Sequence, residues 1–130
     1  MNKWLRTMFT RQDRVKKEGS EYFTWPTPVT AFGGGISTIE VAHQFPRARK
    51  YAPLDWIEVT NNDAVDLTLI INADIFLPIP SGTIRTVDNY ALWQVGIRND
   101  DAAVASTLNK IIVTLRRQPL TIDDWVRRRI

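Results

Sequence analysis

Cysteine is absent from the 130-residue chain, which excludes a disulfide framework and a thiolate metal site. Histidine is nearly absent: His43 stands alone, beside no recognisable nucleophile motif, whereas a hydrolytic triad needs a nucleophile, a base and an orienting group. Neither G-x-S-x-G nor H-E-x-x-H occurs. No apolar run approaches the roughly 20 residues of a membrane-spanning helix. Arg6, Arg11 and Arg14 break up what would be the apolar core of a secretory signal. These absences predict a soluble, non-secreted, non-enzymatic protein with no catalytic residue, no bound cofactor and no small-molecule substrate.

What the chain does have is one domain's worth of residues, an apolar fraction of 44%, and five tryptophans and five phenylalanines to fill a core or an interface. The net charge of +3 is unevenly spread. Residues 1–17 carry six basic side chains against one acid, and residues 110–130 carry six against two, so residues 18–109 hold a net −6. An acidic body with two basic ends predicts an acidic partner at those ends: nucleic acid, an anionic lipid surface or a neighbouring acidic subunit. The candidate contacts for such a partner are Lys3, Arg6, Arg11 and Arg14 at one end and Arg127, Arg128 and Arg129 at the other.

Hydropathy divides the chain into a two-part arm over 1–53, a core over 54–119 and a tail over 120–130. Residues 1–17 read as a short basic amphipathic helix, with Trp4, Leu5, Met8, Phe9 and Val15 near one face. Residues 20–53, rich in aromatics, proline and glycine, read as an extended arm, with a strand possible at 36–41 and a basic cluster at Arg47, Arg49 and Lys50. Trp4, Phe9, Trp25 and Phe32 are the apolar anchors by which residues 1–53 would grip a neighbour. Residues 54–119 change to short alternating strands with turn punctuation, which predicts an all-β antiparallel sandwich. In "YALWQVGIRN" the alternation places Ala91, Trp93, Val95 and Ile97 on one side. Residues 120–130 carry a helix signature, with acids in the first turn and arginines in the last. Pro78 and Pro80, inside an otherwise strand-like run, cannot donate to a ladder and belong at an edge or a turn.

Two further patterns are weighed against chemistry. "FGGGIS" lacks the Lys-Ser/Thr of a phosphate loop and reads as a hinge or tight turn. The pairs Asp100-Asp101 and Asp123-Asp124 match no calcium loop and sit where turns and helix starts favour acids. No metal site is therefore expected.

The segments "WIEVTNND", "LTLIINADIFLPIPSGTIRTV", "LWQVGIRND" and "IIVTLRRQP" resemble small β-sandwich, jelly-roll-like modules of viral and bacteriophage particles. The resemblance implies a virion structural protein: a minor capsid, cement or decoration subunit, oligomeric with other capsid subunits, its arms reaching to neighbours. Two other readings compete on the residues alone. One is a nucleic-acid-binding module using the terminal arginines; the other is a carbohydrate- or receptor-binding sandwich using exposed aromatics.

Overall fold

Period-two alternation puts one face of each strand into the core, and the chain has enough such strands to build two sheets. The computed structural model describes residues 18–119. Eight strands follow one another: β1 (Phe23–Pro26), β2 (Ile36–Glu40), β3 (Leu54–Asn61), β4 (Leu67–Ile71), β5 (Ile75–Ile79), β6 (Ile84–Leu92), β7 (Gln94–Asn99) and β8 (Ile111–Arg116). A short helix, α1 (Val41–Gln44), and a 3-10 helix (Pro46–Tyr51) lie between β2 and β3.

The strands form two antiparallel four-stranded sheets, in the orders β1-β8-β3-β6 and β2-β7-β4-β5. Consecutive strands alternate between sheets except at the β4–β5 hairpin, and the first strand pairs with the last. This is the double Greek key of a jelly roll, so the all-β sandwich expected from sequence is the observed fold. The packed interior is one cluster drawn from both sheets, including Ile57, Val59, Val113 and Leu115 from the first and Leu67, Leu69, Ile71, Val95 and Ile97 from the second. In β4 the alternating residues Leu67, Leu69 and Ile71 belong to this interior, and Val65, just before the strand, joins them.

The sandwich begins earlier than the sequence suggests. Residues 23–26 are β1, hydrogen-bonded along β8 with Phe23 opposite Leu115 and Trp25 opposite Val113. Trp25 is only 5% exposed, so its ring is core and not a free anchor. The misreading has a simple cause: Pro26 and Pro28 suggest an arm, but Pro26 ends an edge strand, where a missing N–H is tolerated. Ile36–Glu40 is likewise an edge strand, against β7. The entry and exit of the described chain are clamped together: the Ser20 N–H donates to the Arg117 carbonyl at 2.9 Å, and the Arg117 N–H donates to Ser20 Oγ at 2.7 Å. Gly19 fits there because a Cβ would come within 2.6 Å of the Arg117 carbonyl oxygen. The short helices expected over 1–17 and 120–130 lie outside the described residues.

Pro78 lies in β5, an edge strand of the second sheet, opposite Thr68. Its carbonyl accepts from Arg85 Nη1 at 2.9 Å, on β6 at the edge of the first sheet. A residue's N–H and C=O point to the same side of a strand, so the proline leaves no donor on the free edge and the arginine occupies the acceptor. The edge is closed to further pairing at that point, as proline and charge at an edge generally achieve. Pro80 lies in the turn that follows, where its carbonyl accepts from Thr83.

The segment read as one strand, "YALWQVGIRN", is two. β6 ends at Leu92 in the first sheet and β7 begins at Gln94 in the second, so Trp93 is a corner and is 55% exposed, while Val95 and Ile97 remain buried. Asn72 holds the corner: its Oδ1 accepts the N–H groups of Trp93 and Gln94, and its Nδ2 donates to the Ala91 carbonyl.

Truncating Trp25 to alanine is expected to cost about 3–5 kcal/mol of stability, the range for a buried large aromatic. Truncating Phe32 is expected to change it by less than about 0.5 kcal/mol; urea unfolding of both variants checks the pair. In the β4–β5 turn Ala73 is held at φ 64°, a left-handed conformation that disfavours a Cβ. Ala73→Gly is therefore expected to raise the thermal midpoint, by an amount equivalent to about 0.5–1 kcal/mol.

Candidate functional site

Strand direction sorts the connections to two ends. The loops β1–β2 (27–35), β3–β4 (62–66), β5–β6 (80–83) and β7–β8 (100–110) gather at one end, here the crown. The α1 and 3-10 segment, the β4–β5 turn, the Trp93 corner and both ends of the described chain gather at the other, here the foot.

The crown is built on two asparagines in equivalent roles. Asn61 closes β3 and Asn99 closes β7, and both are fully buried. Asn61 Nδ2 donates to the carbonyls of Val65 at 2.9 Å and Ile79 at 3.1 Å, and its Oδ1 accepts the Asp63 N–H at 3.0 Å. Asn99 Nδ2 donates to the carbonyls of Val104 at 2.9 Å and Thr30 at 3.1 Å, and its Oδ1 accepts the Asp101 N–H at 3.0 Å. Their main chains match too. The Asn61 N–H donates to Thr83 and its carbonyl accepts from Gly82; the Asn99 N–H donates to Gly35 and its carbonyl accepts from Gly34. Each carboxamide thus fastens its own loop and a second one from a distant part of the chain. The sequence signal was the recurrence of "NNDAV" at 61–65 and "NDDAAV" at 99–104, which reads as turn chemistry until the burial is known.

The following acids continue the scaffold. Asp63 Oδ1 accepts the Ala64 N–H and its Oδ2 the Thr107 N–H, tying β3–β4 to β7–β8. Asp101 Oδ1 accepts the N–H groups of Ala103 and Val104, both at 2.8 Å. Those two bonds, Ala103 first and Val104 second, hold its carboxyl below the ordinary 3.8. Ser106 joins the first loop by accepting the Thr30 N–H on Oγ and donating its own N–H to the Thr30 carbonyl. The triple glycine belongs to the same lattice: the Gly33 N–H is spent on Asp101 and the Gly34 N–H on Asn99. These amides are therefore committed to protein carbonyls and do not cradle an anion.

On this scaffold sit exposed apolar side chains. Val29 and Phe32 project from β1–β2, and Val104 and Leu108 from β7–β8, each more than half exposed. The predicted anchor Phe32 is thus an exposed crown residue, 53% accessible, in a loop pinned by hydrogen bonds. Of the other predicted contacts, Trp25 is buried, and Trp4, Phe9, Lys3, Arg6, Arg11, Arg14, Arg127, Arg128 and Arg129 lie outside the described residues.

The sheet faces offer smaller features. On the second sheet a depression of about 190 Å³ lies between Ile36, Ile70 and Phe76, above Gly96, where a Cβ would come within 3.0 Å of Thr38 Oγ1. On the first sheet Arg116 lies over the Tyr22 ring at 4.7 Å and donates to its hydroxyl, and Tyr22 meets Trp56 edge to face. His43 is exposed on α1, and among the described residues no group of three His, Asp or Glu side chains is arranged to hold a metal ion. No described helix is long and apolar enough to cross a membrane. Compared with protein-family models, with curated proteins and with solved structures, the chain gives no match.

Asn99→Ala removes the partner of two carbonyls and one N–H in a buried site, and is expected to destabilise the protein by at least about 2 kcal/mol. Asn99→Asp is expected to do the same, because an ionised carboxylate has no donor; urea unfolding at neutral pH checks both. Asp101 has a depressed folded-state pKa, so its contribution is present above its unfolded value and is lost as pH falls through the folded one. Protection of the Ala103 and Val104 amides, followed by hydrogen exchange, is therefore expected to persist from about pH 7 to pH 5 and to fall only below the ordinary carboxylate value.

Proposed function

We propose that this chain is a non-enzymatic structural protein of a virus or bacteriophage particle, a minor capsid, cement or decoration subunit that works by contact with its neighbours. The observation carrying the reading is the crown: four large apolar side chains held at the surface on loops interlocked by buried polar groups. Exposed apolar clusters on a rigid frame mark protein contact, because apolar exposure costs free energy unless a partner covers it, and pre-ordered loops lose little entropy on docking. The jelly roll suits the role, since viral shells use this fold, although the fold is shared by lectins and cupins and decides nothing alone. At Pro78 the β5 edge is closed to strand addition, which fits a contact made there by side chains.

In this reading Phe32, Val29, Val104 and Leu108 meet a neighbouring protein subunit, and the basic ends of the chain meet an anionic partner. Trp25 contributes stability only. The double variant Phe32→Asp/Leu108→Asp is expected to keep the wild-type unfolding midpoint and to be excluded from assembled particles, because two charges at the contact must be desolvated unpaired. The check is the copy number of the variant in purified particles beside its melting curve. Normal incorporation of the double variant would remove the crown from the account.

A further inference from the structure

The two ends of the sandwich differ in charge as well as in apolar character. The crown loops hold Asp63, Asp66, Asp100 and Asp101 against Lys110, and Arg98, near the end of β7, offsets Asp100 at 2.7 Å. Asp63 is buried, with its carboxylate on two N–H groups. Asp66 and Asp101 are in no ion pair among the described residues. Asp66 is exposed, and Asp101 stays ionised at neutral pH because the Ala103 and Val104 N–H groups hold its carboxyl below the ordinary 3.8. Val29, Phe32, Val104 and Leu108 share this end with the acids.

The foot offers a different set. A bulge in β6 sets Asn89, Tyr90 and Ala91 against the single residue Asp55 of β3. Bulges re-aim side chains, and Tyr90 is 45% exposed beside Pro53 and Arg117. The sheet-changing corner exposes Trp93, whose carbonyl accepts the Val41 N–H and ties the corner to α1. Beyond α1 the 3-10 helix exposes Arg47, Arg49 and Lys50, none of them in an ion pair among the described residues. Glu40, Asp55, Asp74 and Asp88 belong to this end too, Asp55 lying 3.8 Å from Arg117. The basic charge of the foot is thus local to the 3-10 helix.

These charges oppose a symmetric contact at either end. Crown against crown sets Asp66 and Asp101 of one copy before the same acids of the other, and foot against foot does the same with Arg47, Arg49 and Lys50. Like charges brought together at an interface cost free energy, and opposite ones fix the register. Crown against foot brings acids to bases and aliphatic side chains to two aromatics, and aromatic residues and arginine are the types enriched in protein contacts.

We propose that the crown of one copy docks on the foot of a second copy of this chain. Phe32 and Leu108 cover Trp93 and Tyr90, and Asp66 and Asp101 face the basic 3-10 helix. Because the two surfaces differ, the contact is heterologous and repeats into a ring or an open row. The proposal rests on the contact-protein reading above and names the subunit that covers the crown.

The test uses the full chain in sedimentation velocity. The wild type is expected to form oligomers that grow with concentration over about 10 μM to 1 mM, the range of a small transient contact, and that shrink with added salt. Phe32→Asp/Leu108→Asp at the crown and Trp93→Asp/Arg47→Glu at the foot are each expected to sediment as monomers. An equimolar mixture of the two is expected to form a dimer that grows no further, because each variant keeps the end that the other has lost. Arg47→Glu/Lys50→Glu leaves the corner intact and is expected by itself to weaken association at least about fivefold, so the foot is tested even where the Trp93 change costs stability. A wild type that stays monomeric over the whole range overturns the proposal, as does a mixture no larger than its components. Dimers of the foot variant alone overturn it in favour of crown against crown, and dimers of the crown variant alone in favour of foot against foot. If the wild type is monomeric while the crown variant is still excluded from particles, the head-to-tail contact falls and the structural reading stands.

Discussion

Two buried carboxamides decide the shape of this molecule. A jelly roll brings four loops to one end, and the buried peptide groups of those loops must find partners away from water. Asn61 and Asn99 supply them, each bonding through side chain and main chain to its own loop and to a second. A short side chain with one acceptor and two donors is what the position requires: aspartate lacks the donors and leucine lacks both. Asn61 joins β3–β4 to β5–β6, Asn99 joins β7–β8 to β1–β2, and Asp63 links the two pairs through the Thr107 N–H, beneath apolar side chains that lie at the surface. Exposure at the crown is thus a consequence of polar satisfaction beneath it.

The same economy runs through the rest of the fold. Asn72 secures the corner where the chain changes sheets, and Ser20 and Arg117 secure the point where the chain enters and leaves. Arg85 takes the carbonyl beside the missing donor of Pro78. None of these devices adds apolar burial; each fixes one junction of a core whose driving force comes from the facing strands. Because the devices sit at the ends and edges, they also set which surfaces are available: a crown of apolar loops at one end, a foot with aromatics and basic residues at the other, and a β5 edge closed to strand addition at Pro78.

The sandwich was legible in the sequence because period-two alternation is a direct image of one-sided burial, which β8 and most of β3 follow, while β4 is buried on both faces. Two features were not legible. Trp25 looks like part of an arm because prolines flank it, yet an edge strand tolerates proline, and only the pairing with β8 reveals that its ring faces inward. Trp93 looks like a core position because the alternation passes through it unbroken; the sheet change at that residue turns it out, and no local pattern marks a sheet change. The crown was half visible. The "NND" and "NDD" clusters were readable as turns, and the exposure of Phe32 agrees with a side chain expected to stay outside the core. The burial of the two asparagines depends on loops up to 69 residues apart in sequence, which no single-segment reading captures.

Polar junctions thus fix a sandwich that exposes apolar side chains at the crown and Trp93 and Tyr90 at the foot. The most direct measurement is hydrogen–deuterium exchange along the chain, free in solution and again within the assembled particle that the proposed function requires. The account predicts new protection in residues 27–35 and 100–110 at the crown and in residues 89–94 at the foot, with the sheets between them unchanged. Protection confined to the outer faces of the sheets, or an exchange pattern identical in the two states, would contradict it.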